Sequence, residues 1–142
     1  MRAIEHPLVR ELLSLHLPSD DFVIAGSGPL LANGIRSDIG DLDVVARDKA
    51  WSKALKLGTP SPAPFGDDVE RILLLDGKIE ILNGWFPEIF TIDELISRSD
   101  VIDGIQYASL GDVCRWKKRH DRPKDQEDIA LIERHIARSS TS

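Results

Sequence analysis

Short apolar runs alternating with helical patterns set out the plan of this chain. Residues Pro7 to Leu17 place Leu8, Leu12, Leu13 and Leu15 near helical spacing, and Pro18 ends the run. "FVIAG", from Phe22, reads as a short buried strand, followed by a Gly26-Ser27-Gly28 turn and a short helix "PLLANGI" that Gly34 stops. "DLDVVA", Asp41 to Ala46, reads as a second strand, and "DKAWSKALKLG" as a helix with Asp48 near its start and Gly58 past its end. Three prolines and one glycine make "TPSPAPFGDD" (59–68) a loop. "ERILLLDGKIEIL" is a β-hairpin, with two β-rich runs flanking Asp76-Gly77, the dipeptide suited to a type I′ turn.

Beyond the hairpin the pattern turns mainly helical. "TIDELISRS" predicts a short helix, "VIDGIQYASL" a strand or small hairpin, and "SLGDVCRWKKRH" a helix capped by Ser109. After Pro123, "PKDQEDIALIERHIAR" predicts a final helix with Ile129, Leu131, Ile132 and Ile136 as its core stripe, and "SSTS" a frayed tail. The order of elements gives an α+β domain with a small mixed β-sheet flanked by helices and with C-terminal helices. A single domain spanning 1–142 is expected, its core at about 20–90 and its helical segment at about 91–138.

Composition narrows the class. A hydrophobic fraction of 42% and a charged fraction of 30% are ordinary for a globular protein. Cys114 is the only cysteine, which excludes an intrachain disulfide and a cysteine-rich zinc site, and the four histidines show no metal spacing. No apolar run approaches the ~20 residues of a membrane span, and the N-terminus lacks a signal-peptide pattern, so a cytoplasmic enzyme or binding module is expected. Net charge is −6, against a general grip on nucleic acid, yet "RWKKRHDRPK" (115–124) holds six of the 18 Lys and Arg residues. A local anion site, or the end of a tRNA, fits that segment.

The candidate chemistry lies in the acids. On a strand, Asp41 and Asp43 point the same way, about 7 Å apart, and repel unless something cationic sits between them. A divalent metal is the usual remedy, magnesium taking one or two carboxylates plus substrate phosphates; two solvated aspartates at a strand end are the alternative. Glu80 adds a third acid, in the middle of the apolar strand "KIEIL", where burial is costly without a partner. An edge-strand charge or an ion pair would also explain it. Three acids on adjacent strands outline a two-metal site for phosphoryl transfer. "GSG" before a helix supplies backbone N–H groups and a hydroxyl for an anion, although the turn by itself is neither a Walker A loop nor a dinucleotide fingerprint.

"AGSGPLLANGIRSDIGDLDVVA" resembles the signature of the DNA polymerase β-like nucleotidyltransferase superfamily, a Gly-Ser turn followed by an acid-x-acid strand. The small single-domain members look closest: minimal nucleotidyltransferases, nucleotidyltransferases of toxin–antitoxin systems and lincosamide-type antibiotic transferases. "WKKRHDRPKDQEDIALIERHI" is similar to a Lys-rich segment of such proteins, so the resemblance runs from about Phe22 to Ile136. It implies the nucleotidyltransferase fold and a magnesium-dependent transfer of NMP from an NTP, such as ATP, to a hydroxyl, with two Mg2+ ions or Mn2+ in their place. Gly26 and Ser27 would hold the terminal phosphates, Asp41 and Asp43 both ions, and Glu80 the catalytic ion and the acceptor proton; many relatives have Asp there.

Arg36 is a candidate for a phosphate contact or for a loop brace through Asp38. Lys117 and Lys124 are candidates for phosphate or base contacts, with a solvated basic face as the alternative. Asp125 and Asp128 are implied as structural anchors. Trp85 and Trp116 read as core or interface, and His120 as solvent-exposed. The acceptor is open among a small molecule, an RNA end and a protein side chain. Two other readings compete: a non-catalytic member, such as a component binding a cognate toxin or antitoxin partner, and a metal-dependent phosphohydrolase.

Overall fold

A computed structural model describes residues 2–65 and 68–140. Seven strands form one mixed sheet: β1 (Phe22–Ala25), β2 (Leu42–Ala46), β3 (Ser61–Pro62), β4 (Glu70–Leu74), β5 (Ile79–Leu82), β6 (Asp100–Ile102) and β7 (Ile105–Tyr107). Their order across the sheet is β3-β4-β5-β2-β1-β7-β6. Six helices accompany them: α1 (Pro7–Ser14), α2 (Gly28–Ala32), α3 (Asp48–Ala54), α4 (Ile92–Ser97), α5 (Leu110–His120) and α6 (Pro123–Ser140). The class is α+β, as the element order predicts.

The centre of the sheet is where its direction changes. β2 runs antiparallel to β1 but parallel to β5, and β1 is parallel to β7. The Asp76-Gly77 hairpin joins β4 to β5 in antiparallel register, with Leu73 opposite Glu80. Residues 101–110 contain the second strand of a small hairpin, β6–β7. One strand lies where only loop is expected: Ser61 and Pro62 pair with Arg71 and Glu70 at the sheet edge, which tolerates a residue without an N–H. The expected loop also includes Gly66 and Asp67, which lie outside the described residues.

Period-two alternation sorts side chains into two cores. Phe22, Ile24, Leu42, Val44, Ala46, Ile79 and Ile81 pack with α1 and α3 on one face. Val23, Ala25, Val45 and Leu82 pack with Leu95 of α4, Val113 and Trp116 of α5, and Ile132 of α6 on the other. Asp43 and Glu80 fall by register on this second face. The final helix departs from its expected stripe. Ile132 is fully buried, but Ile136 is 46% exposed, and the other buried positions are the acids Asp125 and Asp128. At i, i+3 and i+7 the three share one side of the helix, so the docking surface of α6 is two-thirds ionic. The expected frayed tail begins as helix, since α6 continues to Ser140; Thr141 and Ser142 lie outside the described residues.

Candidate functional site

The acid-x-acid strand and the glycine turn meet. β1 pairs Ala25 with Asp43, so the chain leaving β1 turns directly over the Asp43 carboxylate. Gly26 takes φ +63, a left-handed conformation costly for a residue with a Cβ, and a Cβ there would collide with Oδ2 of Asp43. Glycine is therefore required twice over at this position. Gly28 answers a different need: a Cβ on it would collide with Cγ2 of Ile24, so its absence lets α2 pack on β1.

Parallel register sets Glu80 of β5 beside Asp43 of β2. Asp43 is half-buried there, with Asp41 two residues away and exposed just before the strand. Burial pushes its carboxyl up to about 8, helped by the charges of Asp41 and Glu80 and by a hydrogen bond with Glu80. Glu80 has its own cation: Arg71 Nη1 donates to Oε1 at 2.9 Å. Arg71 is a residue that reading the strands singly does not pick out. The hairpin register points to it, because Arg71 opposes Leu82 and therefore shares the Glu80 face.

Crowded, partly buried carboxylates with too little positive charge nearby are the donor chemistry a divalent cation fits, and Asp41 and Asp43 supply it. Glu80 is the member whose charge is already met. Among the described residues, no group of three or more His, Cys, Asp or Glu side chains is arranged to hold a metal ion. The outline drawn from the strands thus resolves into two acids short of a cation and a third engaged by Arg71.

Two cavities meet at Ser27, Asp41 and Lys124, which line both. The larger, ≈ 670 Å³, adds Arg36, Asp38, Glu127 and Asp128. The smaller, ≈ 340 Å³, adds Asp43, Glu80, Arg71 and Arg122, and a wall of aromatic rings. Gly26 itself stands under the site, Ser27 at its rim.

The basic segment separates into committed and uncommitted charge. Lys117 is 1% exposed, with Nζ donating to Asp128 Oδ2 at 2.9 Å and lying 3.4 Å from Asp125 Oδ1; it lines neither cavity. Arg122 holds Asp125 with two parallel bonds, Nε to Oδ2 at 2.8 Å and Nη2 to Oδ1 at 3.0 Å. Arg115 pairs with Asp112, Lys118 with Glu133 and Arg119 with Glu88. Lys124 is exposed and has no ion-pair partner among the described residues.

Burial would raise Asp125, but the Arg122 hydrogen bonds and the Lys117 charge outweigh it and pull the carboxyl down to about 2. Asp128 is also lowered, burial being outweighed by Arg36 and Lys117. These acids are the structural anchors that the resemblance implies. Arg36 does brace its loop, but through Asp128 and Glu127 instead of Asp38. His6 holds Asp38: its Nδ1 accepts from Leu8 N–H, so the ring proton is on Nε2 and is donated to Asp38 Oδ1 at 2.7 Å.

Among the described residues no helix is long and apolar enough to cross a membrane. Comparison with protein-family models, with curated proteins and with solved structures returned no match.

Proposed function

We propose that the protein is a magnesium-dependent nucleotidyltransferase, moving NMP from an NTP to a hydroxyl acceptor with release of pyrophosphate. The closure of the Gly26-Ser27 turn onto Asp43 carries the reading. An anion brought to Ser27 is thereby brought to the acids, which is the juxtaposition phosphoryl transfer needs.

Asp41 and Asp43 would hold the magnesium, which when bound neutralises charge on the phosphates and on the attacking oxygen. Ser27 offers its hydroxyl to the terminal phosphates, and the uncommitted Lys124 offers charge from the far wall. The acceptor oxygen attacks the α-phosphorus and forms a new P–O bond as the bond to pyrophosphate breaks. Glu80, beside Asp43, is placed to take the hydroxyl proton once Arg71 yields it. Lys117, Asp125 and Asp128 act through position, docking α6, whose first turn brings Lys124 to the lining of both cavities.

A second reading, a non-catalytic member of the same fold, draws on the Arg71–Glu80 pair, which occupies the third acid. One pair of titrations separates them. Calorimetry of each NTP with and without Mg2+ should give metal-dependent binding that Asp41→Asn abolishes, and labelled α-phosphate should pass to an acceptor from cell RNA, protein or metabolites. Mg2+ should also raise the Tm of the wild type but not that of Asp41→Asn. Unchanged binding and turnover in Asp41→Asn would sink the transferase; nucleotide binding without any pyrophosphate release would favour the second reading.

A further inference from the structure

The two cavities that share Ser27, Asp41 and Lys124 are both charged, and only one of them has aromatic walls. The larger has Ile39 as its one large apolar side chain and is otherwise charged, polar or glycine. The smaller carries Asp43, Glu80, Arg71 and Arg122 and is also walled by Phe65, Trp85, Phe86, Trp116 and His120. These rings come from three separate segments: the loop after β3, the loop after β5, and α5. Phe65 stacks on Phe86 at 4.2 Å and 12°, Trp85 leans on Trp116 at 5.2 Å, and Trp116 on His120 at 5.8 Å. Such packing explains their burial, in keeping with the reading of Trp85 and Trp116 as core. It does not explain why the cluster opens onto Asp43 and Glu80.

We infer that the ring-walled cavity seats the acceptor, and that the acceptor is a small molecule carrying its hydroxyl on or beside a planar aromatic ring. The inference rests on the transferase reading above and names the substrate class it leaves open. Aromatic walls gain from offset or edge-to-face contact with a flat ring. They penalise a polyol, whose hydroxyls would lose water without gaining partners. A ribose and triphosphate require many polar contacts; the larger cavity offers Ser27, Arg36 and Lys124, and its acid Asp41 would meet the phosphates through the magnesium. Glu80, the proton acceptor, lines the ring-walled cavity alone, and an acceptor hydroxyl must lie against it. The transfer then links the aromatic alcohol's oxygen to the α-phosphorus, its proton passes to Glu80, and pyrophosphate leaves with the electron pair of the broken bond.

The test uses the full chain with 2-naphthalenemethanol as the aromatic probe and glucose as the polyol. Two of the chain's three tryptophans, Trp85 and Trp116, line the cavity, so saturable quenching of their emission reports entry of the probe. Calorimetry gives affinities for the probe and, separately, for Mg·ATP. We expect the probe, but not glucose, to bind both with and without Mg·ATP and to accept labelled NMP. Phe65 is half-buried on a loop, so Phe65→Ala disturbs folding least; it should weaken the probe about 3- to 10-fold and leave Mg·ATP affinity unchanged, with Phe65→Tyr restoring it. Mutual exclusion of probe and Mg·ATP, or equal weakening of both by Phe65→Ala, would overturn the inference by assigning the rings to the nucleobase. So would a protein that turns over NTP but ignores the probe. Probe binding in a protein that binds no nucleotide would instead overturn the transferase reading, and the acceptor role with it.

Discussion

Two pairs of aspartates in this molecule have opposite surroundings. Asp43 stands on β2 with Asp41 one residue before its start, and Asp125 and Asp128 stand at i, i+3 on α6. Asp125 and Asp128 are the more deeply buried, at 0% and 1% exposure, yet both titrate below the usual carboxylate range because Lys117, Arg122 and Arg36 surround them. Asp43 is pushed up to about 8, first by its burial and then by the acids Asp41 and Glu80 beside it. Burial raises the carboxylates of both pairs; the neighbours decide whether that rise is reinforced, as at Asp43, or outweighed, as at Asp125 and Asp128. An acid pair supplied with cations by the fold is an anchor, and the pair left without them is where we propose that a cation from outside binds.

The largest effect should come from withdrawing a cation from the anchor. Lys117→Met leaves Asp125 and Asp128 buried with only arginines, and should cost about 3 kcal/mol or more in a urea titration. At β2 the same logic runs in the opposite sense. Asp43→Asn removes one of a set of crowded acids, so the variant should be at least as stable as the wild type by thermal melting. Its metal-dependent turnover should nevertheless fall about 10²- to 10³-fold. A variant that loses stability and activity together would erase the distinction between the pairs.

A smaller effect separates backbone strain from collision at the glycine turn. Gly34→Ala, at φ +71 with open space around its Cβ, should cost only the left-handed backbone term, about 1 kcal/mol. Gly26→Ala, at φ +63, meets Asp43 as well and should cost measurably more in the same titration, with nucleotide binding lost. A remaining effect falls on the acid limb of stability. Asp125 falls from 3.8 to about 2 on folding, so the unfolded chain binds the proton more readily. Its contribution is present above about pH 4 and is lost as pH falls through about 2, and Asp125→Asn should flatten that part of a urea-midpoint profile.

Much of this was legible residue by residue. The Asp76-Gly77 hairpin, the strand carrying Asp43 and the helix capped by Ser109 follow from local signals, and the structure contains all three, although β2 begins at Leu42 and leaves Asp41 just outside it. Ser27 and Lys124 stand where two cavities join the acids. Lys117 looks in the sequence like one more member of a basic run, since a list of charges does not say which of them faces inward. The stripe of α6 departs from its hydrophobic spacing for the same reason: the spacing points to Ile136, but Asp128 is buried because Arg36 and Lys117 meet it there.

The sequence by itself determined which residues share a face. Strand alternation is a local steric property, so Asp43 had to fall with Val45, and Glu80 with Leu82, on the same side of their strands. Only the tertiary structure decided which charge each acid would meet. Asp128 and Arg36 are 92 residues apart, and Arg71 reaches Glu80 across a hairpin register. Such pairings depend on how helices dock and strands align, and no local periodicity encodes them.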